Sequence, residues 1–168
     1  MYPSFGGSKI LRIILAKEKN IPQIKTIIQN SYQEITKKLS RPPGAIIDTE
    51  KKLIASSQQN QLFIVCKENE TIIGTFSLSP TERNTIKISH FAIKPEFQNQ
   101  GIGTWVIREI EKNQKFQVQK YEAIDLEVYA KVPKLGKFYE KLGFSLIGEK
   151  EINNETIFVF SKSLNISR

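Results

Sequence analysis

One cysteine, one histidine and one tryptophan occur in 168 residues, and no long apolar run is present. The lone Cys66 excludes an internal disulfide, and its place in Leu62-Phe63-Ile64-Val65-Cys66 suggests an inert buried thiol. No segment approaches the length of a membrane span. The start Met1-Tyr2-Pro3-Ser4-Phe5-Gly6-Gly7-Ser8 lacks the charged end and apolar core of a secretory signal. A cytoplasmic location with no membrane partner is therefore expected, with residues 1–8 flexible. Repeats, low-complexity tracts and linkers are missing as well. A hydrophobic content of 39% over 168 residues then points to a single domain spanning 1–168 with one well-buried core.

Basic blocks are also absent. Lys and Arg number 25 against 17 Asp and Glu, giving a net charge of +8. The lysines nevertheless come singly or in pairs such as Lys37-Lys38 and Lys51-Lys52, with acids between them. Without a basic run or an aromatic-interleaved stripe, no nucleic-acid partner is expected. The positive surplus still favours polyanionic small molecules. Two nucleotide signatures fail too: Val106 stands where a dinucleotide fingerprint needs its third glycine, and no Gly-Lys-Ser/Thr follows a Walker-type spacer.

What is present is a strand that stops at a proline and a glycine-spaced turn that opens a helix: Ile93-Lys94-Pro95-Glu96-Phe97-Gln98-Asn99-Gln100-Gly101-Ile102-Gly103-Thr104. Gly101 and Gly103 let a ligand approach the backbone, and the first helical N–H groups have no carbonyl partners. An anion satisfies them, helped by the helix dipole. A Gly-x-Gly pair alone can also mark only a tight turn. Further on come Leu126-Glu127-Val128-Tyr129-Ala130 and Phe138-Tyr139-Glu140-Lys141-Leu142-Gly143-Phe144.

Together with Gln98-x-x-Gly101-x-Gly103, these segments resemble the GNAT superfamily of acetyl-CoA-dependent N-acetyltransferases, with the order of elements extending the resemblance from about Lys9 to Leu164. The resemblance implies an α/β (α+β) fold. Its mixed, mostly antiparallel central sheet would have about six to seven strands, flanked by about four helices. Strands four and five would be parallel and splayed, holding the pantetheine arm.

The patterning agrees with that order. Strands are expected at 10–16, 61–67, 71–79, 85–93, 123–129, 144–152 and 155–164, the last two joined by a turn at Asn153-Asn154. A first helix opens at Asn20-Ile21-Pro22, buries Ile24, Ile27, Ile28 and Ile35, and is broken by Ser40-Arg41-Pro42-Pro43-Gly44. Asp48 or Thr49 caps a second helix. A third runs from about Gly101 towards Gln119, and a short last one spans 134–142.

The resemblance also assigns roles. Backbone N–H groups of Asn99, Gln100, Gly101, Ile102, Gly103 and Thr104 would hold the CoA pyrophosphate, and Gln98 would orient the loop. A backbone amide among Phe91, Ala92 and Ile93 would polarise the thioester carbonyl. Tyr139 would be the general acid for the leaving thiolate, since a phenol is still protonated at neutral pH; read without the resemblance, it is an aromatic packing beside Phe138. Acetyl-CoA is thus the expected cosubstrate and no metal is required. The other substrate would be a small-molecule or peptide amine, and a homodimer is left open.

Two features depart from the family pattern. Its bases usually come from the positions of Lys87 and Ser89, neither a convincing base at pH 7. Strand alternation puts His90 with Ile88 and Ala92 on the other face unless a bulge re-aims it. Val132 and Leu135 replace an Asn and an Ala ahead of Phe138-Tyr139, removing an amide that normally touches CoA or the backbone. Both keep a second reading open, a non-catalytic acyl-CoA-binding or sensing module. Tyr32, Glu34, Arg41 and Glu82 are candidates for an acceptor pocket, each equally suited to a solvated or half-buried position.

Overall fold

A computed structural model of the protein describes residues 10–47 and 49–164. The flexible start expected over 1–8 and the capping role considered for Asp48 lie outside those residues. Seven strands form one mixed sheet: β1 (Leu11–Leu15), β2 (Leu62–Lys67), β3 (Ile72–Pro80), β4 (Thr85–Ile93), β5 (Ala123–Tyr129), β6 (Ser145–Ile152) and β7 (Glu155–Ser163). Their spatial order is β1-β2-β3-β4-β5-β7-β6. Five α-helices accompany them among the described residues: α1 (Ile21–Ser31), α2 (Gln33–Lys38), α3 (Thr49–Gln58), α4 (Ile102–Lys112) and α5 (Pro133–Lys141). No helix among the described residues is long and apolar enough to cross a membrane.

The near-continuous burial along β2 and β3 arises because helices cover the sheet on both faces. Alternation divides β2 accordingly. Phe63 and Val65 join a core with Val106, Ile107 and Ile110 of α4, while Leu62, Ile64 and Cys66 join one with Ile24, Ile27 and Ile28 of α1. Burial raises the pKa of the Cys66 thiol, and the nearby Glu70 carboxylate adds to this while Arg12 opposes it, so the thiol stays protonated at neutral pH.

Strands β4 and β5 are parallel, and they pair only from Thr85↔Ala123 to Lys87↔Asp125. Beyond Lys87 they part. β4 continues to Ile93 against β3, and β5 continues to Tyr129 against β7. The β6–β7 turn follows expectation: Asn153 and Asn154 both take positive φ (51° and 64°), as a two-residue hairpin turn requires.

Two helices differ from expectation. The first is interrupted at Tyr32, which leaves helical geometry (φ −94°, ψ 1°). There Ser31 Oγ donates to Ile93 O (2.7 Å) and the Tyr32 hydroxyl to Phe91 O (3.3 Å), so contacts with the end of β4 redirect the chain. Helix α4 stops at Lys112, not near Gln119. Asn113 ends it in extended geometry, and two 3-10 turns follow, separated by Gln117 at φ 54°.

Candidate active site

The parting of β4 and β5 opens a cavity of about 1140 Å³. Its walls come from elements far apart in sequence: the ends of α1 and α2, the segment before α3, β4, the loop into α4, β5, α5 and the β6–β7 turn. Of the residues singled out from the sequence, Phe91, Ala92, Ile93, Gln98, Asn99, Gly101, Ile102, Gly103, Thr104 and Tyr139 line it. Gln100 does not; its amide turns away to donate to Glu96 O (3.1 Å). Tyr32, Glu34 and Arg41 also line it, whereas Glu82 stands exposed in the β3–β4 turn.

At one end of the cavity α4 begins. Gly101 is its N-cap at φ 77°, a left-handed conformation that suits glycine, and no side chain caps the helix. The first ladder bond runs from Trp105 N–H to Gly101 O (3.0 Å), leaving the N–H groups of Ile102, Gly103 and Thr104 without ladder partners. No acidic residue occupies the first turn. Uncapped N–H groups at the positive end of an 11-residue helix fit an anionic group such as a pyrophosphate. Gln98 steadies this corner by donating from Nε2 to Ile93 O (2.9 Å).

The β4 edge along the cavity carries backbone groups free of the sheet. Lys94 N–H bonds Ile73 O (2.8 Å), which keeps that residue's polar groups on the β3 side. The carbonyl of Phe91 instead accepts from the Tyr32 hydroxyl, and that of Ile93 from Ser31 and Gln98, facing away from β3. An extended residue presents N–H and C=O to the same edge, so the amide of Ile93, regularly paired beyond the bulge, faces the opening.

His90 requires a correction. Thr75 pairs with Ala92 and Ser77 with Ser89, so Phe76 alone opposes both His90 and Phe91. This is a β-bulge, and His90 adopts φ 50° within it. Strict alternation ends there, and the imidazole lines the cavity with Nδ1 3.1 Å from Ser77 Oγ. Burial first, then the positive charges of Lys52 and Lys87, lower its pKa to about 4. His90 is neutral at physiological pH. Lys87 is held by Glu127 (2.8 Å), whose other cation is Lys150 (2.6 Å).

Tyr139 is buried on α5, edge-on to Phe138 (5.0 Å between centroids) and Phe144 (5.7 Å). Its hydroxyl bonds no protein atom among the described residues, and it borders the cavity. Burial, reinforced by the neighbouring Tyr32, raises its pKa, so the phenol remains a proton donor. Tyr32 itself is raised to about 12, by burial first and then by Tyr129. Val132 is buried at the N-cap of α5 and makes no side-chain cap bond.

A family model described as an acetyltransferase (GNAT) domain matches residues 59–146. The chain belongs to the GNAT acetyltransferase family. The matched span runs from just before β2 through the α4 loop and α5 to the start of β6, and so contains both motifs that border the cavity. S-(2-succino)cysteine N-acetyltransferase from Bacillus subtilis is 26% identical to this GNAT chain over 157 residues, covering 90% of the chain and 94% of the relative. Among solved structures, the spermidine N-acetyltransferase from Vibrio cholerae in complex with CoA and spermine aligns over 92% of the chain and 95% of its own length. Its TM-score is 0.68 at 19% identity. The ribosomal-protein-S18-alanine N-acetyltransferase from Escherichia coli covers 95% of the chain and 97% of its own length, with a TM-score of 0.71 at 15% identity. These structural matches agree in fold.

The bulge at His90 entered the sequence reading only as the exception that would re-aim the side chain, and nothing in the sequence placed it there. No glycine marks it, and its only trace is a histidine, a residue type that tolerates positive φ better than most.

Proposed function

We propose that this GNAT acetyltransferase moves an acetyl group from acetyl-CoA to a primary amine of a small molecule or peptide, by direct attack while both substrates are bound. The observation that carries the reading is the meeting, in one cavity, of an uncapped helix start, an open strand edge and an unpartnered phenol. Acetyl-CoA would supply the acyl group as a thioester. The N–H groups of Ile102, Gly103 and Thr104 would hold the pyrophosphate, and the amide of Ile93 would donate to the acyl oxygen as negative charge develops.

As the C–N bond forms and the C–S bond breaks, Tyr139 O–H donates to the departing sulfur and later recovers a proton from solvent. His90, with a pKa of about 4, is too weak a base to deprotonate an ammonium. It accepts a hydrogen bond from an amine that arrives already neutral, and water removes the proton. The rate should accordingly rise with pH through the acceptor amine's own pKa.

The named relatives act on different acceptors, a modified amino acid, a polyamine and a ribosomal-protein alanine, so names alone leave the acceptor open. Thiol release from acetyl-CoA, measured with a panel of amines and matched by acetylated product, tests the reading. Amine-dependent release is expected. Tight acetyl-CoA binding with no release on any amine would instead make the chain a non-catalytic acyl-CoA-binding module.

A further inference from the structure

The carboxylates that border the cavity are all occupied. Glu34 pairs with Lys37 (2.6 Å), and Glu127 with both Lys87 (2.8 Å) and Lys150 (2.6 Å). Glu155 pairs with Lys131 (3.0 Å) and also accepts from Ser40 N–H (2.7 Å) and Ser40 Oγ (2.6 Å). A polycationic acceptor would meet, at each of these carboxylates, a lysine already neutralising part of its charge.

The cations are placed differently. Among the described residues, Lys52 Nζ bonds only the Gly44 carbonyl (3.1 Å), and no carboxylate pairs with it or with Arg41. Both border the cavity. Arg41 sits between two anchors, since Ser40 is fixed to Glu155 and Gly44 N–H donates to the Tyr129 hydroxyl (3.1 Å). A guanidinium carried on this anchored stretch of backbone can meet a carboxylate with two parallel hydrogen bonds.

These cations belong to the acceptor side. Lys87 lies at the last paired position of β4 with β5, and Lys52 projects from α3, whereas the uncapped amides for pyrophosphate lie beyond the end of β4. The lowered pKa of His90 is set first by burial and then by the charges of Lys52 and Lys87, which places those two cations on the His90 side of the cavity even though Glu127 partly offsets Lys87.

We propose that the acceptor is an amine that also carries one or more carboxylates, bound by Arg41 and Lys52, and that polyamines are poor substrates. This rests on the acetyl-transfer reading and names its substrate class. Carboxylate binding leaves the reacting amine to meet the β4 edge and His90.

Two measurements test it. In the first, aspartate and glutamate are compared as acceptors with their fully amidated counterparts and with spermidine. The acids should exceed their amides by about tenfold or more in kcat/KM, about 1.4 kcal/mol. Lys52→Glu and Arg41→Glu, both at exposed positions, should erase that preference. Spermidine or the amides matching the acids would overturn the proposal.

In the second, the imidazole of His90, the chain's only histidine, is titrated by NMR in untagged protein saturated with CoA. Adding the acids should raise its apparent pKa by partly neutralising Lys52, and Lys52→Gln should raise it without ligand. The amides and spermidine should leave it unmoved. An unmoved pKa with the acids would equally overturn the proposal. If acetyl-CoA bound but no amine were acetylated, the transfer reading would fail, while the His90 titration would still decide whether the carboxylate site exists.

Discussion

The two ends of the cavity are built on different principles. At the α4 end, contiguous backbone makes the site: a strand end, a left-handed glycine and three free N–H groups within a dozen residues. At the end we assign to the acceptor, side chains from α2, α3, β4, β5 and β7 converge, held by ion pairs such as Lys87–Glu127 and by the grip of Glu155 on Ser40. Backbone sites tolerate exchange of side chains but not of conformation, so the first end suits a constant cosubstrate. The second can change its acceptor by exchanging one or two charges.

The comparison sharpens with substitutions aimed at one end each. The largest effect is expected at the backbone end. Gly103→Asp sets a carboxylate beside the free amides, and its Cβ would already meet the Phe138 ring at 3.4 Å. CoA affinity measured by calorimetry should fall about a hundredfold or more, roughly 2.7 kcal/mol. Unchanged affinity in a folded protein would remove the loop from the CoA site.

Glu155→Gln probes the other end. It weakens the grip on Ser40 and Lys131, and the acceptor KM should rise about tenfold (~1.4 kcal/mol) with CoA affinity unchanged. Hydrogen bonds from Ser40, then the ion pair with Lys131, hold the Glu155 pKa at about 2. A carboxylate lowered in this way stabilises the fold fully above its unfolded value near 4.5, and the contribution is lost as pH falls through about 2. Thermal melts of the variant should therefore approach wild type only in strong acid. A CoA-affinity loss as large as the change in acceptor KM would erase the distinction between the two ends.

The smallest effect is expected at His90. His90→Ala should cost less than about tenfold in kcat, because so weak a base contributes little of the usual acid–base range. Its stability effect has a defined sign. The unfolded imidazole takes a proton near 6.5 and the folded one only near 4, so wild type loses stability as pH falls across that window. The variant should lose less than wild type between pH 7.5 and 5. A hundredfold fall in kcat would instead make His90 a working base.

Legibility followed the same division. The α4 loop could be read because its chemistry lies in consecutive residues: Pro95 ends the strand, Gly101 takes the left-handed turn, and the amphipathic run from Ile102 continues as helix. β4 and β5 were legible to their last residues for the same local reasons. The break at Tyr32 was not, since its cause is a pair of hydrogen bonds to β4 some sixty positions away. His90 was misplaced because alternation assumes an unbroken ladder, and the bulge is a property of the β3–β4 pairing. The pairing of Glu155 with Ser40 likewise joins residues that nothing local connects.

Tyr139→Phe asks most directly whether this cavity transfers acetyl groups by the chemistry assigned to it, because it removes one hydroxyl and leaves the ring that packs on Phe138 and Phe144. With a carboxylated amine as acceptor, kcat should fall about a hundredfold while acetyl-CoA affinity stays within about twofold of wild type. A folded Tyr139→Phe protein that turns over near the wild-type rate would contradict the assignment, leaving Tyr139 as a packing residue and the departing sulfur to take its proton from water.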